Sequence, residues 1–575
     1  MTKEKTLLFL VAITIVSVII RFNQLGSIPN GLATDEADIG YNAYSIAKTG
    51  ADVYGRKFPL FFQSLDDYKP GLIVYLSIPA ILLFGLNDFS IRLAPAIIGS
   101  ITPILVYILL KLLYSQKSSA YSQKSSAYSQ KSSAYSQKSS AYPKDHKIAY
   151  IGSFFTVFAP WNIALSRAMV QYIPLAFFYL VFIIIFLFSV KKFKKLLPLS
   201  ALIIGITPYI YYAAFIYLPF ILLILGIVYR KFLITNFRYT IMSLLIVAII
   251  SMPAVFHFRD PIARSRLSAI NATNPDIALP ISIQEMEQDK EEGNPLSKVI
   301  HNRRLVFTNI LLDNYFDYFN FDYLFVNSHA IRYFYVHNVG LFYLVELPLV
   351  LLGIFKSIVN RRKSDMLVLG LLIIGPIPAT ITLGSPLPHR ALLVPLVLQL
   401  LSAKGASSIL NLLHKNTRRV IVPLFIIIYA AGLYFFLHQY FVHSPREFVL
   451  GGWFPVVRDA IPVVNRQMEN YDKVVFTWSV QRIVPPIYFL FYNQIDPKII
   501  QEKAAKWGNE PVSYRQIYDK IENLEFRPIN WDADKNLKNT LLVGYPNEFP
   551  EEVNVIARTY LPNGKPHFLL VEAGK

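Results

Sequence analysis

Between Thr6 and Tyr440 the chain repeats one pattern: apolar segments of membrane-spanning length, separated by short runs of lysine and arginine. A hydrocarbon layer about 30 Å thick needs roughly 20 apolar residues per helical crossing. Backbone polar groups inside it must be satisfied within the crossing segment itself. The pattern therefore restricts the fold to a polytopic α-helical membrane protein. Of the 575 residues, 54% are hydrophobic and only 16% are charged, which lies outside the range of soluble domains. The formal net charge of +19 sits mostly in runs between apolar segments, so it marks cytoplasmic loops, and nucleic acid is not an expected partner. The chain has no cysteine, which excludes disulfides, zinc–thiolate sites and cysteine nucleophiles.

The basic runs fix the crossing parity. Lys111 with the lysines of the repeat, Lys191–Lys195, Arg230-Lys231, Arg361–Lys363 and Lys415–Arg419 are all expected inside. Thr6–Phe22 reads as an uncleaved first helix, since Arg21–Gln24 offers no small-residue cleavage site. Ile91–Leu113 follows, then two spans between Lys147 and Lys191 and two between Lys195 and Arg230. Phe237–Phe256, Asn338–Phe355, Met366–Leu383, Ala391–Leu413 and Val420–Tyr440 complete a set of about eleven crossings. Gly71–Gly85 is short and contains Pro79. If it spanned, the later lysine runs would lie outside, so it reads as an interfacial or re-entrant helix on the outer face.

This gives a transmembrane domain over 1–443 and an extracytoplasmic domain over 444–575. The first outer loop is 23–90, a cytoplasmic linker 114–147, and a second large outer loop 257–335. The linker holds a tandem SQKSSAY heptad from Tyr114 to Tyr142. It lacks the two apolar positions per heptad that a coiled coil needs, and its serine content reads as flexible. The second outer loop carries a charged stretch, Gln284–Glu292, a helical segment, Leu296–Leu312, and an aromatic run, Tyr315–Tyr335. That run is either an interfacial belt or a stacking surface for a sugar or prenyl chain. The C-terminal region reads as α/β. Its helices are Val456–Met468 and Ile483–Tyr492, and its strands Lys473–Trp478, Thr540–Gly544, Val553–Thr559 and His567–Val571. It has no glycine-rich phosphate loop and no nucleophile elbow, so no chemistry is expected of it.

The chemistry points to Thr34–Tyr75, a dense polar loop beside hydrocarbon, where ionisable groups are expensive and tend to be functional. An ordinary solvated loop is the competing reading. A carboxylate there can serve as general base on an acceptor hydroxyl, and a nearby cation can stabilise a departing phosphate. Asp35 and Lys69 meet these needs if the loop folds back on itself. Glu36 either holds a divalent cation or orients Asp35, leaving metal dependence open. Asp66, Asp67 and Tyr41 are candidate acceptor or sugar contacts. Arg390 and His389, at an outer helix mouth, are candidate donor-phosphate ligands, whereas Arg167 reads as a snorkelling anchor.

An Asp-Glu pair just after the first span is followed about thirty residues later by an aromatic-Lys-Pro step, an apolar helix, and Phe89–Ala96, FSIRLAPA. With Ala159–Arg167, APWNIALSR, and Pro388-His389-Arg390, that order resembles the GT-C glycosyltransferases of the protein O-mannosyltransferase superfamily, including the lipid A aminoarabinose transferases. The resemblance implies a sugar donor carried on a polyprenyl phosphate and a protein, lipid or cell-envelope glycan acceptor on the outer face. It also implies Asp35 as base, Lys69 as a phosphate contact, and inversion at the anomeric carbon. Tyr68 stands where the aminoarabinose transferases carry a glutamate, which puts a metal site and that sugar in doubt. The Trp-Trp-Asp signature of oligosaccharyltransferases is absent, which disfavours transfer of an oligosaccharide block. A polytopic transporter or flippase of a lipid-linked substrate is the rival reading. Such proteins keep ionisable residues deep in their spans, and here Glu346 is the clear exception.

Overall fold

The computed structural model describes residues 2–65, 67–114, 147–260, 263–264, 275–328, 336–447, 452–480, 483–508 and 513–574. Among them, eight helices are long and apolar enough to cross a membrane: Lys3–Phe22 (α1), Asp88–Tyr114, Tyr172–Lys191, Ala213–Thr235, Phe237–His257, Lys363–Thr380, Leu393–Leu412 and Lys415–Glu447. The other three expected crossings hold shorter helices, Lys147–Phe158, Leu197–Ile206 and Leu347–Asn360. Each is lengthened by a neighbouring turn: Pro160–Leu165 follows the first, Thr207–Tyr209 the second, and Leu344–Glu346 precedes the third. Leu393–Leu412 lies at the bundle's centre and packs closely on Leu347–Asn360. A Cβ on Gly405 would sit 1.9 Å from the Leu349 carbonyl oxygen, so only glycine allows that approach.

The Thr34–Tyr75 stretch is not a loop. Thr34–Thr49 forms a 16-residue helix, α2, and Phe61–Ser64 (β1) pairs antiparallel with Asp67–Pro70 (β2). Glu36 closes the start of α2 by accepting from the Ala33 backbone N–H, and Gly50 ends the helix in the left-handed conformation at φ 72°. Leu72–Phe84 (α3) follows. Its 13 residues are shorter than the roughly 20 that a full crossing takes. Asp88–Tyr114 is α4.

The C-terminal domain is a mixed six-stranded sheet in the order β4-β5-β3-β6-β8-β7. Its strands are Lys473–Phe476 (β3), Lys520–Ile521 (β4), Leu524–Phe526 (β5), Thr540–Gly544 (β6), Val555–Tyr560 (β7) and Pro566–Glu572 (β8). Its hydrophobic core extends beyond residue 444 to include α2. Ala37, Ile39, Tyr41 and Ile46 pack in one cluster with Val457, Tyr488 and Phe491. Burial of a large apolar side chain such as Ile39 contributes roughly 1.5–3 kcal/mol, so α2 is fastened to the C-terminal domain as well as to the bundle.

The aromatic run of the second large loop is corrected in part. Tyr318, Tyr323 and Phe325 are buried in the bundle core and form neither a belt nor an open stacking surface. Residues 329–335 of that run, most of the serine-rich linker and Asp66 lie outside the described residues.

Candidate active site

Three buried arginines hold the end of α1 and the chain leading to α2. Arg167 donates to the carbonyls of Ile20, Arg21, Asn23 and Ile28 at 2.7–3.0 Å, so it anchors the end of α1 from within the protein and does not snorkel. Arg21 donates to the Ser17 hydroxyl and the Val157 carbonyl. Arg92 donates to the carbonyls of Leu25, Pro29 and Gly31, and forms a fully buried ion pair with Glu36. A guanidinium carries five fixed donors and can hold such a set of carbonyls at once. Gly31 sits at φ 76°, and a Cβ there would lie 2.5 Å from the Pro455 backbone nitrogen. The C-terminal domain therefore presses directly on this loop. The Phe454 N–H and Tyr488 hydroxyl both donate to the Leu32 carbonyl, and the Tyr488 and Thr34 hydroxyls lie 3.2 Å apart.

The frame fixes the first turn of α2, where the helix dipole favours acidic side chains. Asp35 and Asp38, three residues apart, share one helix face. The β1–β2 hairpin brings Lys69 to that face. Its ammonium donates to Asp35 Oδ1 at 2.8 Å and to Asp38 Oδ2 at 3.2 Å. Successive strand residues point to opposite sides, so Tyr68 faces away. Its hydroxyl accepts from Arg56 at 3.1 Å and its ring meets His257 edge-on. Lys69 and Asp38 are buried, while the Asp35 side chain is 52% exposed. Burial alone would lower the Lys69 pKa, but Asp35 and Asp38 outweigh it and hold the group above its ordinary value. Burial raises Asp38 above the usual carboxylate range, and the Lys69 charge opposes that rise. Asp35 is thus the member of this cluster that an incoming hydroxyl can reach.

A second group of residues gathers around Tyr172. Tyr211, between Leu197–Ile206 and Ala213–Thr235, is pushed up to about 12 by burial, with Arg390 lowering and Asp35 raising its pKa. Tyr172 meets Tyr211 edge-on at 5.4 Å and stacks on His389 at 4.5 Å. Arg390 donates to the Leu383 carbonyl at 2.6 Å and is half-buried. Tyr172 thus groups His389 with Tyr211, while Lys69 holds Asp35 and Asp38.

No protein-family model matches the chain, and no curated protein matches it either. Solved structures do. ArnT from Cupriavidus metallidurans bound to undecaprenyl phosphate superposes with a TM-score of 0.54 at 12% identity, covering 100% of this chain and 99% of that one. The apo state of the same protein gives 0.52 at 13% identity, covering 99% and 98%. The chain has the GT-C fold. An oligosaccharyltransferase from Archaeoglobus fulgidus in the apo form gives 0.48 at 14% identity, covering 95% of this chain and 70% of that one.

On this GT-C scaffold, two readings from sequence need correction. Glu36 is not placed to hold a metal ion, and it acts on Asp35 only through the frame at the start of α2. It is fully buried, and its oxygens accept from Arg92 at 3.2 and 3.1 Å, from the Met169 N–H at 2.7 Å and from the Ala33 N–H at 3.2 Å. Tyr41 is not a sugar contact. It is buried against the C-terminal domain, where its hydroxyl donates to the Ile495 carbonyl at 3.0 Å. Asp67 opens β2 opposite Ser64 and is half-buried. Among the described residues no group of three or more His, Asp or Glu could hold a metal. The Asp35–Asp38 pair is bridged by the Lys69 ammonium, so these residues do not fit a divalent ion. Asp38 and Tyr211 were missed. Asp38 carried a signal, its three-residue spacing from Asp35, which is legible only once the stretch is read as helix. Tyr211 sits among other tyrosines with no spacing to distinguish it.

Proposed function

We propose that this protein is an inverting glycosyltransferase that moves a hexosyl or pentosyl unit from a polyprenyl-phosphate donor to an acceptor hydroxyl. The acceptor is a protein, lipid or cell-envelope glycan. The observation that carries the reading is the Asp35–Lys69 contact, one reachable carboxylate beside one buried ammonium, on a scaffold that matches an ArnT bound to undecaprenyl phosphate over its whole length. The acceptor oxygen attacks the anomeric carbon from the face opposite the phosphate. As that bond forms, Asp35 takes the hydroxyl proton and the bond from carbon to phosphate oxygen breaks, leaving its electron pair on the phosphate. A positioned base contributes roughly 10² to 10⁴ in rate. Lys69 has three N–H donors, of which Asp35 and Asp38 take two, so one remains for the phosphate. We assign Arg390 and His389, grouped about Tyr172, to add cationic and donor capacity toward the same phosphate. The basic runs support an extracytoplasmic face for this site and the C-terminal domain.

The acids inside the bundle support packing over a transport path. Asp365 pairs with Lys404 at 2.6 Å, and Glu346 accepts from Gln399 and Ser402. The test uses purified protein with undecaprenyl-phosphate-linked hexoses and pentoses, plus a membrane extract as acceptor source. Release of undecaprenyl phosphate with a product of inverted anomeric configuration supports the reading. Transport of intact donor across a vesicle without cleavage refutes it.

A further inference from the structure

Asp38 has no part in the reaction as described so far, yet it is a fully buried carboxylate in contact with the lysine of the site. Its rotamer is fixed by the Asn42 side-chain amide, which donates to Asp38 Oδ1 at 3.2 Å. We propose that Asp38 is a positioning residue that keeps Asp35 basic by sharing the Lys69 ammonium with it. The proposal rests on the reading of Asp35 as base and Lys69 as phosphate contact.

A lone Lys69–Asp35 pair at 2.8 Å would make a poor base, because an opposite charge that close lowers a carboxylate pKa by about one to three units. A second carboxylate on the same ammonium weakens that effect in two ways. It draws the ammonium toward itself, and it adds a like charge near Asp35. Both raise the affinity of Asp35 for the acceptor's proton. Asp38 also remains as counter-ion once Asp35 has been neutralised by that proton. Lys69 then keeps its position on the phosphate while the bond from sugar to phosphate breaks. The ionisable groups facing Asp38 are Asp35 on its own helix, Lys69 on β2, Asp52 in the turn after α2, and the Tyr518 phenol of the C-terminal domain. Among the described residues, those facing Asp35 include Lys69 and Asp38, and Asp35 in turn acts on the Tyr211 phenol.

The test is the pH dependence of donor turnover in Asp38→Asn, which preserves shape, removes the charge and turns one acceptor oxygen into a donor. Lys69 then pairs with Asp35 alone, so the acid limb of kcat/KM for an undecaprenyl-phosphate sugar should move to lower pH by about one unit. At neutral pH kcat should fall by up to about tenfold, the limit for a base weakened by one pKa unit. The donor KM should not rise, because less of the Lys69 charge is neutralised. A loss of kcat with the limb unmoved, or an unchanged enzyme, overturns the proposal. Should Asp38→Asn fail to elute as a folded species on gel filtration, Asp38→Ser is read by the same criteria. Turnover surviving in Asp35→Asn would remove the base assignment itself, and this proposal with it. An Asp35→Asn enzyme that is inactive, with an unmoved limb in Asp38→Asn, refutes only the role of Asp38.

Discussion

Replacing Glu36 by Gln should damage the fold far more than the chemistry. Glu36 and Arg92 are both fully buried, and two of the guanidinium's hydrogen bonds end on that carboxylate. Gln keeps the volume but places an NH2 group where Arg92, Met169 and Ala33 all present donors. Arg92 then becomes a buried charge without its counter-ion. Breaking such a pair from one side costs about 3–5 kcal/mol. Removing both charges together, in Glu36→Gln/Arg92→Met, should cost less than the sum of the single changes, because no charge is stranded. The assay is thermal unfolding of the detergent-solubilised protein, with donor turnover measured per folded molecule. The account expects a large loss of stability in the single variant, partial recovery in the double, and retained turnover in the fraction that remains folded. An unchanged melting temperature, or lost turnover in a fully stable Glu36→Gln, would refute the assignment of Glu36 to the frame.

Lys69→Ala should abolish donor turnover, and Lys69→Arg should restore it only in part, because a planar fork does not replace a compact ammonium between two carboxylates. Turnover measured with an undecaprenyl-phosphate sugar decides this, and normal release by Lys69→Ala would count against the phosphate role. Because the chain has no cysteine, Ser126→Cys introduces a unique thiol into the serine-rich linker. A membrane-impermeant thiol reagent should not reach it in intact cells, and labelling there would invert the proposed topology.

The bundle was legible because hydrocarbon imposes a single strong rule, about 20 apolar residues per crossing. The three segments that gave short helices, such as Leu197–Ile206, are interrupted by proline or broken turns that a composition window averages away. In the C-terminal domain the buried strand Thr540–Gly544 coincides with its predicted bounds. The short strands Lys520–Ile521 and Leu524–Phe526 were missed, because so few residues cannot display a period. The main misreading was α2. Thr34–Thr49 is polar in aggregate and so read as loop, but its apolar residues Ala37, Tyr41 and Ile46 face a domain more than 400 residues away in sequence. Local sequence cannot supply that partner. The same gap explains Glu36, whose function depends on an arginine 56 residues later. Asp35 and Lys69 were legible, because their pairing needed only that the segment fold back on itself.

The central claim is that Asp35 accepts the acceptor's proton, and Asp35→Asn tests it most directly. The substitution keeps the side-chain shape and removes the basicity. Two quantities are measured on the same preparation: equilibrium binding of an undecaprenyl-phosphate sugar, and its turnover at saturating donor and acceptor. The account predicts that binding survives while transfer falls by at least the roughly 10² to 10⁴ expected of a lost general base. Near-native transfer by Asp35→Asn under those conditions would contradict it.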